Sequence, residues 1–216
     1  MNLAFISFVI SILSLDITIA FQVLISSPIF ACPIIGWIMG DIWMGFEIGF
    51  LFQLLWLGRI PAGASIVPEG NIATMISTVL FIAYQEMGFP NSTLVIIFFL
   101  TIVYSYMGSL LTMFYRKFNG KILNLMNKQV QNVHFPVLIL LEGGSMFFYL
   151  FSVFLFTLLL LKAGMLIMPV IIPAVGQLFE SQFIIAKPVI LGIGLASIFP
   201  VIRDALFRKA GKKIVQ

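Results

Sequence analysis

Seven side chains able to make strong hydrogen bonds lie within or beside long apolar runs: Asp16, Gln22, Asp41, Glu47, Gln53, Glu69 and Asn71. A carboxylate at membrane depth costs about 2.5–3.5 kcal/mol on insertion scales, so the default reading of such a group is functional. Carboxylates accept hydrogen bonds from hydroxyl groups, and amides both donate and accept, which is the chemistry of sugar recognition. Structural readings compete with it. Asp41 in MGDIWMG is placed to cap the helix that follows. Glu47 then faces solvent or a partner group. Glu69 sits in Pro-Glu-Gly, which is turn chemistry. It is the clustering of these residues around one Gly/Pro-rich segment that favours a site.

Other chemistries find little support. His134 closes a polar stretch with no acid close by and reads as a solvated loop histidine rather than a phosphoryl acceptor. Cys32, the single cysteine, reads as a small packing residue. The sequence holds no phosphate-cradling Gly loop, no Ser/His/Asp set and no metal-type spacing, so no catalytic residue, metal or cofactor is expected in this chain. Arg59, the sole base of the first half, is open to pairing with one of the acids or to snorkelling toward headgroups.

The elements that must position these residues are membrane helices. Hydrophobic residues make up 61% of the 216, and charged residues 9%. A soluble domain of this size cannot hide so much apolar surface, which excludes soluble enzymes, disordered chains and disulfide scaffolds. The first fifteen residues lack a basic leader and read as a retained segment rather than a signal peptide. Apolar stretches run over about 3–15, 17–38, 42–58, 71–85, 92–115, 136–161, 163–178 and 183–202. A span needs about 20 residues, and only some stretches reach that length. The expected fold is therefore an all-α polytopic membrane protein, one integral domain over 1–216, with full spans alternating with broken or re-entrant helices. Gly36, Gly40, Gly45 and Gly49 would let two backbones pack closely. The segment 187–204 loosely echoes 28–41, a pattern compatible with a weak inverted repeat.

The net charge of +4 is unevenly spread: −4 over residues 1–115 and +8 over 116–216. The bases lie in short stretches beside apolar segments, so they point to membrane orientation and not to nucleic acid. Residues 116–134 read as a polar loop. That loop, with its bases at 116–128, and the tail from Arg203 are expected on the cytoplasmic side. An even number of crossings must separate them. Of the three apolar stretches between them, 163–178, with Pro169 and Pro173, is the one expected not to cross.

Over 16–74 the ordered elements LD (15–16), FQ (21–22), SPIFACPIIGWIMGD (27–41), GFEIG (45–49) and QLLWLGRIPAGASIVPEGNIAT (53–74) resemble membrane component C of the mannose/sorbose-type phosphotransferase system. The resemblance implies a sugar-binding and translocating subunit in a bacterial cytoplasmic membrane. It also implies a D-type membrane partner, soluble A and B phosphocarriers, and assembly as a trimer of heterodimers. By the same resemblance the sugar-site candidates are Gln22, Gln53, Pro61, Gly63, Ala64, Ser65, Glu69 and Asn71, with Asp16 a weaker one. Two positions depart from the family's habit: Ser27 where a base commonly stands, and Gln53 where a carboxylate does. They leave room for an alternative, a non-transporting membrane scaffold that regulates phosphocarrier signalling.

Overall fold

The computed structural model describes residues 2–18, 23–57, 68–128 and 135–212. Seven α-helices form among them: α1 (Leu3–Thr18), α2 (Pro28–Met39), α3 (Ile42–Trp56), α4 (Gly70–Tyr84), α5 (Pro90–Lys128), α6 (Phe135–Phe179) and α7 (Ala186–Lys212). No strand occurs among the described residues. Three helical stretches, Pro90–Asn124, Ile139–Phe179 and Gln182–Pro200, are long and apolar enough to cross a bilayer. The other apolar helices are shorter, so the expected mixture of full spans and short broken helices is the one observed.

α2 and α3 form a hairpin of short helices. With 12 and 15 residues they extend only about 18 and 22 Å, short of the ~30 Å hydrocarbon layer. The turn between them is built from two residues. Gly40 ends α2 in the left-handed region (φ +93), where a side chain would be strained. Asp41 caps α3 by accepting the Met44 N–H at 2.9 Å, as its position in MGDIWMG suggests. The arms touch backbone to backbone. A Cβ on Gly36 would fall 2.9 Å from the Gly45 Cα, one on Gly45 would meet the Cys32 carbonyl, and one on Gly49 the Pro28 carbonyl.

α4 is the central element, packed against α1, α2, α3, α5 and α6. Apart from Asn71, every residue from Gly70 to Phe81 is buried. Its buried hydroxyls are satisfied locally or across one interface: Thr74 donates to the Gly70 carbonyl, Thr78 to the Thr74 carbonyl, and the Ser77 and Thr101 hydroxyls lie 2.6 Å apart. Gly88 (φ +87) turns the chain into α5. Cys32 is fully buried, in keeping with a packing role.

Two expectations need correction. Residues 116–128, read as loop, continue α5 as helix. Tyr115, Phe118, Ile122 and Met126 recur at helical spacing, and Phe118 stacks on Phe148 of α6 at 4.0 Å while Tyr115 meets Tyr149 at 4.9 Å. Polar residues on the remaining faces do not interrupt such a helix. Likewise 163–178 is not a separate segment but the continuation of 136–161 within α6. Pro169 has no N–H and so frees the Met165 carbonyl one turn back; Tyr84 Oη on α4 donates to that carbonyl at 3.1 Å. A neighbouring helix thus supplies the bond the proline removes. Two helices, α6 and α7, therefore lie between the two basic segments. The echo of 28–41 in 187–204 is not repeated in local structure, since α7 runs through where α2 stops at Gly40.

Contour lengths of about 58 Å for α5 and 68 Å for α6 follow from 1.5 Å per residue. At the far end from the basic arm, the Glu180 carboxylate beyond α6 accepts the first N–H groups of α5.

Candidate functional site

The candidate site surrounds the first turn of α4. Glu69 precedes that helix and is drawn onto α5. Its N–H donates to the Ser105 carbonyl at 2.9 Å, and its Oε1 accepts from Thr112 Oγ1 at 2.7 Å. Gly108 makes the approach possible, because a Cβ there would lie 2.8 Å from the Glu69 Cβ. Glu69 is thus no exposed turn residue. Ser105, Gly108 and Thr112 are spaced by three and four, which places them on one face of α5.

The opposite flank comes from the last turn of α3. Trp56 Nε1 donates to Thr74 Oγ1 at 3.0 Å, and the indole lies where a Cβ on Gly70 would fall. Glycine is therefore required at 70 for the tryptophan to seal the end of α4. Gln53 stands three residues before Trp56 on the same face of α3. Its side-chain oxygen is buried and has no hydrogen-bond partner among the described residues. Leaving such an acceptor unpaired costs about 1–3 kcal/mol, so the site holds an unused acceptor for an O–H or N–H donor. Asn71, half-buried, adds an amide on the same turn.

Of the residues expected from sequence, Glu69 and Asn71 stand at the start of α4 and Gln53 on α3, one turn before the tryptophan that packs on Gly70. Gln22, Pro61, Gly63, Ala64 and Ser65 lie outside the described residues, as do Arg59 and His134. Asp16 has another occupation. Its Oδ1 accepts the Val23 N–H at 2.7 Å and its Oδ2 the Ser26 N–H at 3.1 Å, so the carboxylate anchors the turn leading into α2. Glu47 pairs with Lys187 of α7 at 2.6 Å, both partly exposed. Trp37 and Trp43 are 72% and 80% exposed. Trp56 is not, and it joins the site instead.

Sequence reasoning missed Trp56, Thr74, Gly108 and Thr112. The signal for the last pair is faint: a glycine and a threonine four apart in an apolar helix carry no chemistry until Glu69 is docked on them. A cleft of about 340 Å³ opens between α5 and α6. Three of its polar groups bond one another, Ser145 Oγ with Tyr115 Oη and with Asn119 Oδ1, each at 3.0 Å, and Glu142 also lines it.

Comparison with known proteins matches residues 1–205 to the family described as PTS system sorbose-specific IIC component. The mannose-specific EIIC component of the phosphotransferase system of Escherichia coli K12 is 37% identical over 62 residues, covering 28% of this chain and 23% of that protein. The sorbose-specific EIIC component of Klebsiella pneumoniae is 36% identical over 59 residues, 27% of this chain and 22% of that protein. The fructose permease IIC component of Bacillus subtilis is 34% identical over 59 residues, with the same shares. The aligned stretches thus span less than a quarter of these relatives' lengths. A solved structure titled "Structure of membrane protein" superposes with a TM-score of 0.71 at 22% identity, over 93% of this chain and 78% of its own. That likeness concerns the fold.

Proposed function

This chain belongs to the family of PTS system sorbose-specific IIC components, and from that membership we propose that it is the sugar-binding and translocating membrane subunit of a phosphoenolpyruvate-dependent phosphotransferase system. In this reading it works with a D-type membrane subunit, in a trimer of heterodimers, and with soluble A and B phosphocarriers. It resides in the bacterial cytoplasmic membrane with the basic arm of α5 and the tail of α7 facing the cytoplasm, as the positive-inside rule requires.

One observation carries the reading: the buried, unpartnered amide oxygen of Gln53 on α3, one turn before the Trp56 that packs on Gly70 of α4. A sugar hydroxyl is the donor that fits it, and Glu69 and Asn71 at the start of α4 extend the polar surface such a ligand needs. In this reading sugar enters neutral and is phosphorylated on the cytoplasmic side, where the added charge prevents its return through an apolar path.

The test is purification with the D-type partner in lipid nanodiscs, followed by binding of mannose, sorbose and fructose. Wild type should bind one of them, and Gln53→Ala should weaken that binding about tenfold, the scale of one buried hydrogen bond, with normal membrane insertion. Absence of binding by the wild-type complex to any hexose would overturn the proposal, as would unchanged affinity in Gln53→Ala.

A further inference from the structure

The face of α5 that receives Glu69 continues beyond Thr112. Four residues on, at the same register, stands Arg116. Ser105, Gly108, Thr112 and Arg116 thus form one stripe: a carbonyl for the Glu69 N–H, a gap for its Cβ, a hydroxyl for its carboxylate, then a guanidinium. Arg116 is exposed and makes no ion pair among the described residues. One helical turn of about 6 Å separates it from Thr112, roughly the width of a hexose ring. Arg116 also begins the basic arm carrying Lys117 and Lys121.

The geometry points to α5 as the second wall of the site, with Thr112 positioning the Glu69 carboxylate for sugar hydroxyls and Arg116 receiving the phosphate of the sugar phosphate product. This inference rests on the sugar-binding reading above and adds residues outside the 16–74 motif. The physical argument is one of charge. Toward a neutral sugar the working group is the Glu69 carboxylate, held by Thr112. A phosphate monoester brings about two negative charges and oxygens suited to bidentate contact with arginine. It therefore attracts Arg116 and repels Glu69, so substrate and product prefer different ends of the same stripe. Thr112 acts through Glu69 and is a positioning residue.

The experiment uses the same complex with its D-type partner. Sugar affinity is measured with mannose, sorbose and fructose, and competition with the phosphates of the same sugars, beginning with mannose 6-phosphate. Thr112→Val keeps the side-chain shape without the hydroxyl and should weaken sugar binding about tenfold, whereas Thr112→Ser should stay within about threefold of wild type. Arg116→Gln should leave sugar affinity within about threefold and weaken competition by the sugar phosphate about tenfold. Rescue by serine separates positioning from simple packing, since a structural defect would affect both threonine variants in membrane yield and monodispersity. If wild type binds sugar and Thr112→Val binds it equally well, the positioning role is wrong while the sugar-binding reading stands. If the sugar phosphate competes equally against wild type and Arg116→Gln, the product-binding role is wrong. If wild type binds no hexose, the underlying reading and this inference fall together.

Discussion

Glu180 Oε1 holds both the backbone N–H and the side-chain amide of Asn91, at 2.8 and 2.9 Å, while Oε2 takes the Ser92 N–H at 2.8 Å. A carboxylate just past the end of α6 thereby caps α5, whose first amides have no partner within their own helix. Burial pushes this carboxyl up, but the bonds from Ser92 and Asn91 outweigh it and hold the group below the usual glutamate value of 4.5.

Loss of that cap should be measurable. Glu180→Ala should destabilise the protein by about 1 kcal/mol, the usual worth of a helix cap, read as a lowered midpoint in detergent thermal unfolding. The pH dependence has a defined sign. Because the folded-state value lies below the unfolded one, the contribution is fully present above about pH 4.5 and is lost as pH falls through the folded value. Glu180→Gln should flatten the acid limb of the stability curve; an unchanged limb would show that Glu180 does not contribute to it.

Tyr84 and Pro169 should be energetically coupled. Tyr84→Phe leaves the Met165 carbonyl without its cross-helix donor and should cost about 1 kcal/mol. Pro169→Ala restores an N–H able to reach that carbonyl within α6, so in this background Tyr84→Phe should cost much less. A double-mutant cycle should give a coupling of about 0.5–1.5 kcal/mol; strict additivity would contradict the role assigned to Tyr84.

The glycines of the α2–α3 hairpin should tolerate no side chain. Gly45→Ala and Gly49→Ala place a methyl group against the Cys32 and Pro28 carbonyls and should each destabilise by about 1–3 kcal/mol, the range for overpacking. Gly143→Ala, where nothing lies within 4 Å of the added atom, is the control and should be neutral or mildly stabilising. Equal melting temperatures for all three variants would refute the backbone contact.

The Glu47–Lys187 pair should matter little by itself. Its side chains are 41% and 54% exposed, and such pairs are worth about 0–1 kcal/mol. Lys187→Met should therefore lower the unfolding midpoint by no more than about 2–4 °C, what about 1 kcal/mol produces in a chain of this size. A larger loss would mean that α7 depends on this contact for docking on α3.

Much of this organisation is legible in the residues. The cap at Asp41 follows from Gly-Asp before an apolar run, and the backbone packing of the hairpin from glycines four and five apart. What is not legible is set by tertiary partners. Residues 116–128 look like a loop when polarity alone is weighed, because the stripe from Tyr115 to Met126 has value only against Phe148 and Tyr149. Pro169 looks like a helix end until Tyr84 stands beside it. Thr112 gains a role only when a carboxylate 43 positions earlier docks on it.

The lengths of α5 and α6 carry a mechanical consequence. Helices of about 58 and 68 Å overshoot a ~30 Å hydrocarbon layer even when tilted by 40°. The stretch from Thr112 to Lys128 is one unbroken rod, bolted to its neighbour by Phe118 and Tyr115. A sideways displacement of the 116–128 end is therefore carried along one continuous helix to Thr112, whose hydroxyl holds the Glu69 carboxylate.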